Sequence, residues 1–231
     1  MEDRVVGAAS GRAGDCGYGL WRKLVNAGVA LTALACVASP AVAATRIVAL
    51  GDSLTAGFGV QPEESFPTRL QLWLRDHGVE AEVVNAGVSG DTTAGGLARL
   101  DWTLSEPADA VLVEFGANDA LRGIDPKDTY RNLDAILTRL SQRKLKILLM
   151  GMEAPANWGT EYWNAFHAIY PKLAEEHHVL LYPFFLDGVA LQEKLNQPDG
   201  MHPNSRGVDV IVERVGPYVL RLLGVDPAWH G

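Results

Sequence analysis

Short apolar segments alternate with longer amphipathic segments along most of this chain, and no other feature limits its possible folds as strongly. The apolar segments, such as RIVAL at 46–50 and AVLVEF at 110–115, have the composition of buried strands. The amphipathic segments repeat apolar side chains at helical spacing, as Phe66, Leu70 and Leu74 do. The predicted strands are 46–50, 81–84, 110–115, 145–150 and 179–184, and the predicted helices are 65–77, 93–104, 129–142, 161–177 and 205–223.

Strands that alternate with helices form parallel βαβ units. Because these strands are nearly continuous apolar runs, we expect helices to cover both faces of the sheet. The region contains no internal repeat and no long linker. The sequence therefore predicts an α/β fold, a doubly wound three-layer α/β/α sandwich with a five-stranded parallel sheet, as one domain over residues 44–231.

The first 43 residues resemble a secretory signal peptide. Basic residues at 22–23 precede an apolar run over 24–37, and Ala41-Val42-Ala43 forms a small-residue cleavage site. The apolar run is shorter than the ~20 residues that span a bilayer, which favours cleavage over a membrane anchor. Cys36 offers a weaker alternative as a lipidation site. We expect export to the periplasm or the exterior, without a stable membrane anchor.

The charge of the chain indicates its kind of partner. The net charge is −8, and no segment carries a dense run of Lys and Arg. Proteins that bind nucleic acid present positive surfaces to the phosphate backbone. We therefore expect a small-molecule substrate and no nucleic acid.

Polar loops follow the predicted strands at one edge of the sheet. These loops are residues 51–57, 85–92 and 116–119, with 199–203 before the last helix. In an open parallel sheet, ligands bind beyond the carboxyl ends of the strands. The four loops are therefore expected to meet at one rim.

The loops contain a candidate catalytic triad. Ser53 follows the first strand and is the candidate nucleophile, while His202 is the candidate base. Asp199 precedes His202 by three residues, which lets its carboxylate reach the imidazole. Taken alone, each has a simpler interpretation, because a serine at this place often caps a helix. The elbow motif G-x-S-x-G is not met, since Thr55 occupies its last position.

The same loops contain candidate donors for an oxyanion hole. These are the Ser53 N–H, the Gly90 N–H and the side-chain amide of Asn118. A glycine allows the backbone to approach a substrate closely, and an amide donates without titrating. The alternatives are an ordinary turn glycine and an Asx turn.

Four sequence blocks together resemble those of the GDSL or SGNH hydrolases. They are GDSLTAG, NAGVSGDTT, GAND and DGMHP, in that order. The Ser, Gly, Asn and His of the family correspond to Ser53, Gly90, Asn118 and His202, and its acid corresponds to Asp199. Segments 96–100, 120–123, 155–159 and 165–174 are similar to the branch of periplasmic acyl-CoA thioesterases, lysophospholipases and arylesterases.

This resemblance implies a flavodoxin-like sandwich and a serine hydrolase of carboxylic esters or acyl thioesters, acting through an acyl-enzyme on Ser53. It implies neither a metal nor an organic cofactor. Candidate residues for an acyl groove are apolar side chains near the loops, for which core packing is an equal alternative. They are Leu54, Phe58, Leu121, Ile124 and Trp158.

Three other classes of function compete with this interpretation. A metal-dependent phosphoesterase or deacetylase would have clustered His and carboxylate ligands for the metal ion, but no motif like H-E-x-x-H occurs. A nucleotide-binding sandwich would have G-x-G-x-x-G, which Pro62 breaks at its last position. A non-catalytic binding protein on the same fold would not require Ser53, Asp199 and His202 together.

Overall fold

The computed structural model describes residues 44–225, so the predicted signal peptide lies outside the described residues. Five parallel strands form one sheet. The strands are β1 (Thr45–Gly51), β2 (Ala81–Gly87), β3 (Ala110–Glu114), β4 (Lys146–Met150) and β5 (Leu180–Tyr182). The helices are α1 (Ser53–Ala56), α2 (Phe66–Asp76), α3 (Thr93–Thr103), α4 (Ala117–Leu121), α5 (Pro126–Gln142), α6 (Thr160–His167), α7 (Ile169–His177) and α8 (Ser205–Leu223).

The strand order is β2-β1-β3-β4-β5, which is the flavodoxin-like order of a doubly wound sheet. Helices α2 and α8 pack together on one side, while α5 packs against α3 and α7 on the other. The residues of β3 are all buried between these layers. The predicted three-layer sandwich with five parallel strands is confirmed.

The register of the sheet aligns the ends of its central strands. Gly51 at the end of β1 lies opposite Gly87 of β2 on one side and Glu114 of β3 on the other. The loops that follow these three strands therefore start at the same level of one edge. This edge is the rim at which the sequence predicted the polar loops to meet.

Several predicted elements differ from the structure, and two of them, β2 and α5, are each three residues longer than predicted. The single helix over 161–177 is wrong, because the chain forms α6 and α7 with a break at Ala168. Pro171 causes the break, since it has no N–H to donate to the His167 carbonyl and its ring would clash there. The fifth strand ends at Tyr182 instead of residue 184, because Pro183 follows.

Two short helices at the rim have no periodic signal in the sequence. They are the one-turn helices α1 and α4, which follow β1 and β3. Within residues 44–225, no helix is long and apolar enough to cross a membrane.

Candidate active site

Ser53 is the first residue of α1, directly after the first strand. Asp52 caps this helix, because its Oδ1 accepts a hydrogen bond from the Leu54 N–H at 3.0 Å. Gly57 ends the turn with a φ of 83°, a conformation that favours glycine. The Oγ of Ser53 lies 2.9 Å from Nε2 of His202, although the two residues are 149 positions apart in sequence.

His202 lies in the loop before α8 and is bound by Asp199. Its Nδ1 lies 2.7 Å from Oδ2 of Asp199. The other oxygen of that carboxylate accepts the backbone N–H groups of His202 at 3.0 Å and of Met201 at 2.9 Å. These two backbone donors, followed by the His202 ring, lower the pKa of Asp199 to about 2. The carboxylate is therefore ionised at neutral pH and favours the tautomer with its proton on Nδ1.

Gln197 joins the His202 loop to the loop after α1, and no sequence motif indicates this role. Its backbone N–H donates to the His202 carbonyl at 2.8 Å. Its side-chain amide donates to the carbonyls of Phe58 at 2.7 Å and Pro203 at 2.9 Å. The Phe58 ring lies 4.6 Å from the His202 ring, measured between centroids. This bridge packs an aromatic ring against the candidate base.

The candidate oxyanion donors follow three neighbouring strands at the same edge of the sheet. Gly90 has a φ of 84°, and its carbonyl accepts a hydrogen bond from Arg122 at 2.8 Å. Asn118 lies in α4, and its side-chain amide donates to Oδ2 of Asp52 at 2.9 Å. One amide hydrogen of Asn118 is thereby committed and the other is not. The Ser53 N–H opens a helix and has no intrahelical acceptor.

Two buried acids lie beneath these groups, and neither was predicted from the sequence to have a role. Asp52 is fully buried, and burial raises its pKa to about 6, against the opposing effects of the Leu54 N–H and the Asn118 amide. Glu114 is also fully buried, and burial together with the charge of Asp52 raises its pKa well above the usual value. The available signal was a lone acid inside the otherwise apolar strand AVLVEF.

The predicted acyl-groove residues divide into three groups by exposure. Phe58, Leu121 and Trp158 have exposed fractions of 51%, 50% and 45%, which are high for large apolar side chains. Ile124 is partly buried. Leu54 is 8% exposed and belongs to the hydrophobic core, so the core interpretation applies to it.

Val88 and Met201 are two further exposed apolar side chains, which were not predicted from the sequence. Each lies within two residues of a candidate site residue, Gly90 or His202. Among residues 44–225, no group of three or more His, Cys, Asp or Glu side chains is placed to hold a metal ion.

A serine, a histidine and an aspartate in hydrogen-bonded series, beside amide donors, form the arrangement that serine hydrolases use for acyl transfer. The family model described as the GDSL-like lipase/acylhydrolase family matches residues 49–210. The chain belongs to this family.

Curated relatives support this assignment over most of their length. The thioesterase 1/protease 1/lysophospholipase L1 of Escherichia coli strain K12 is 44% identical over 188 residues, which cover 80% of this chain and 88% of that protein. The arylesterase of Vibrio mimicus is 38% identical over 189 residues, which cover 81% of this chain and 94% of that protein.

Solved structures agree with the curated relatives. The SGNH-hydrolase family esterase AlinE4 is similar with a TM-score of 0.67 and 46% identity, covering 78% of this chain and 97% of that chain. The crystal structure of TesA is similar with a TM-score of 0.74 and 37% identity, covering 77% of this chain and 99% of that chain. The predicted family, fold and class of enzyme, an SGNH-type esterase or thioesterase, are confirmed.

Proposed function

We propose that this enzyme hydrolyses carboxylic esters and acyl thioesters through an acyl-enzyme on Ser53, with His202 as general base and Asp199 as its orienting partner. The observation that carries the proposal is the continuous pair of contacts, 2.9 Å from Ser53 to His202 and 2.7 Å from His202 to Asp199. A serine is a weak nucleophile until an adjacent base accepts its proton.

The reaction proceeds in two halves. In the first half, Oγ of Ser53 attacks the substrate carbonyl carbon while its proton moves to Nε2 of His202. The tetrahedral intermediate carries a negative oxygen, which the N–H groups of Ser53 and Gly90 and the amide of Asn118 stabilise. The carbon–oxygen or carbon–sulfur bond then breaks, and the leaving alcohol or thiol takes the proton from His202.

In the second half, water attacks the acyl-enzyme. His202 accepts a proton from this water, and the carboxylic acid leaves as the proton returns to Oγ of Ser53. The charged Asp199 stabilises the imidazolium that forms in each half. Its low pKa supports this role, because the carboxylate stays ionised across the working pH range.

The substrate we propose has an apolar acyl chain. Phe58, Leu121 and Trp158 offer exposed apolar surface, and the relatives are named an arylesterase and a thioesterase/lysophospholipase. Rates on p-nitrophenyl esters from acetyl to palmitoyl, measured beside acyl-CoAs and lysophospholipids, test this proposal. A rate that is independent of the acyl group would contradict it.

Covalent labelling tests the nucleophile. An organophosphate should inactivate the enzyme and leave its added mass on the peptide that contains Ser53, while Ser53→Ala should be inactive and unlabelled. Ser89→Ala is the matched control, because Ser89 is an exposed serine in the neighbouring loop. A label on Ser89 would overturn the proposal, and so would activity that a chelator abolishes.

We also propose that the enzyme is exported and cleaved after Ala43. The support is the basic flank, the apolar run and the small residues before the cleavage site. Sequencing the exported protein should give an N-terminus within two residues of Ala44. An exported protein that retains residues 1–43 would contradict this proposal.

A further inference from the structure

Glu114 is a fully buried acid that the mechanism above does not use. It is the last residue of the central strand β3, and it lies beneath the turn that presents Ser53. Its Oε2 accepts a hydrogen bond from the Thr55 hydroxyl at 2.8 Å and another from the Asp52 N–H at 3.3 Å. One carboxyl oxygen thus holds the residue before Ser53 and the residue two positions after it.

Gly51 provides the space for this contact. A Cβ at Gly51 would lie 2.1 Å from the Thr55 hydroxyl oxygen and 2.7 Å from Oε2 of Glu114, both far inside van der Waals contact. Any side chain at position 51 would therefore displace the carboxyl or the turn. The glycine of the GDSL block serves this approach between strand and turn.

The contact extends from Glu114 to the candidate oxyanion hole. Asp52 donates its N–H to Glu114, and its carboxylate accepts the side-chain amide of Asn118 at 2.9 Å. A displacement of Glu114 would therefore shift Ser53, because the turn would move, and Asn118, because its partner Asp52 would move.

The surroundings of Glu114 favour its uncharged form. Its Oε1 is buried and has no hydrogen-bond partner among residues 44–225. The titratable groups that interact with it electrostatically are the Asp52 carboxylate and the Tyr170 hydroxyl, while the Arg99 guanidinium binds the Gly51 carbonyl and the Asp91 carboxylate. No cation in the described part of the chain pairs with Glu114. An unpaired buried charge is strongly unfavourable, and Asp52 adds like-charge repulsion.

We propose that Glu114, in its uncharged form, is a positioning residue that holds the turn carrying Ser53 and, through Asp52, the amide of Asn118. This inference rests on the proposed role of Ser53 as the nucleophile. Glu114 touches no reacting atom, so its loss should misplace the groups that do. Misplacement by about 1 Å can lower a rate by about 10²-fold.

Substitutions at Glu114 and Thr55 test this inference. Glu114→Gln keeps an oxygen that accepts from Thr55 and Asp52 and carries no charge, so we expect kcat within about threefold of wild type. Glu114→Ala loses the acceptor, and kcat should fall about 10- to 100-fold with KM changed much less. Thr55→Val removes one donor and should give an intermediate kcat.

Thr129→Val is the matched control. Thr129 is a fully buried threonine whose hydroxyl donates to the Asp119 carboxyl at 3.2 Å, away from the turn that carries Ser53. This variant should lose stability as Thr55→Val does, but it leaves the turn that carries Ser53 untouched and affects only Asp119, the neighbour of Asn118 in α4. A fall in kcat that is clearly larger for Thr55→Val and Glu114→Ala than for Thr129→Val therefore reports positioning and not general loosening of the core.

The pH profile tests the uncharged state of Glu114 separately from its effect on kcat. If wild-type Glu114 is uncharged, Glu114→Gln changes no charge near His202, and the acid limb of kcat/KM stays in place. An acid limb moved to lower pH would overturn the inference, as would a Glu114→Gln kcat as low as that of Glu114→Ala.

A folded Glu114→Ala enzyme with wild-type kcat would also overturn the inference. If Glu114→Ala fails to fold, the kcat values of Glu114→Gln and Thr55→Val test the inference instead. Ser53→Ala distinguishes failure of this inference from failure of the proposed function. An active Ser53→Ala enzyme would mean that Ser53 is not the nucleophile, whatever the Glu114 variants show.

Discussion

Asp199 contacts His202 at two points, with Oδ2 at 2.7 Å from the ring Nδ1 and Oδ1 at 3.0 Å from the backbone nitrogen. A carboxylate that binds both the backbone and the ring of one residue fixes the direction of that ring. The free Nε2 then faces the Ser53 hydroxyl. Orientation and charge compensation of the imidazole therefore come from one side chain three residues away.

Removing the two members of this pair should have unequal effects. His202→Ala removes the base and should lower kcat by about 10⁶-fold, whereas Asp199→Asn should cost about 10⁴-fold. Asp199→Asn should also move the acid limb of kcat/KM to lower pH, because an anion that favours the imidazolium is gone. Steady-state kinetics over pH 5–9 on a p-nitrophenyl ester measure both effects. A wild-type rate and an unmoved acid limb for Asp199→Asn would make Asp199 only structural.

The amide of Asn118 should act mainly in the transition state. Asn118→Ala should lower kcat by about 10²–10³-fold with a much smaller change in KM, because the negative oxygen exists only after attack. Asn132→Ala is the matched control, since Asn132 also donates its amide to a buried side chain, the Thr93 hydroxyl at 3.0 Å, outside the candidate site. A raised KM at unchanged kcat for Asn118→Ala would indicate a substrate-binding residue instead.

The backbone of Gly90 can be tested against a second glycine of the same conformation. Gly90 and Gly78 have φ values of 84° and 79°, and an added Cβ would meet no atom closer than 3.7 Å at either position. Alanine at each should cost about 1–2 kcal/mol in the free energy of unfolding, from backbone strain alone. Only Gly90→Ala should also lower kcat, by about 10-fold or more, because it moves an oxyanion donor. Equal kcat for the two variants would exclude the Gly90 N–H from catalysis.

Much of this fold could be predicted because local patterns determine it. Helical spacing and apolar strands identify the elements, and the rule for the carboxyl ends of parallel strands brings Ser53, Gly90 and Asn118 to one rim. The break at Ala168 was missed because the apolar pattern continues through Pro171, although the backbone hydrogen bonds do not.

The supporting contacts of the site could not be predicted from the sequence. Thr55 and Glu114 are 59 residues apart, and Gln197 and Phe58 are 139 residues apart. No local spacing relates such pairs, because their contact depends on strand order and loop conformation. The sequence offered only the anomaly of an acid in an apolar strand, without the partner that explains it.

The exposed aromatic side chains should control the acyl-chain preference. Phe58→Ala and Trp158→Ala should raise KM for long-chain p-nitrophenyl esters by about 10-fold, with a small effect on acetyl esters, since each removes apolar contact area. Leu191→Ala is a suitable control, because Leu191 is 94% exposed and has no assigned role. A kinetic series over acyl length measures this effect. Equal losses on short and long esters would instead indicate disturbance of His202, which the Phe58 ring contacts.

The buried pair of acids should make stability depend on pH. Burial and the charge of Asp52 raise the pKa of Glu114 well above its usual value of 4.5, so the folded protein retains a proton that the unfolded chain releases. The free energy of unfolding should therefore fall as pH rises above about 4.5, by up to about 1.4 kcal/mol per pH unit for this group.

Glu114→Gln cannot release that proton, so this part of the pH dependence should disappear. Asp52, whose pKa burial raises to about 6, contributes in the same direction only between its unfolded value and that pH. Urea unfolding of wild type and Glu114→Gln at pH 5 and pH 8 measures the difference. The stability of the variant relative to wild type should increase at the higher pH. Parallel pH dependences for the two proteins would mean that Glu114 ionises in the folded state as it does in the unfolded chain.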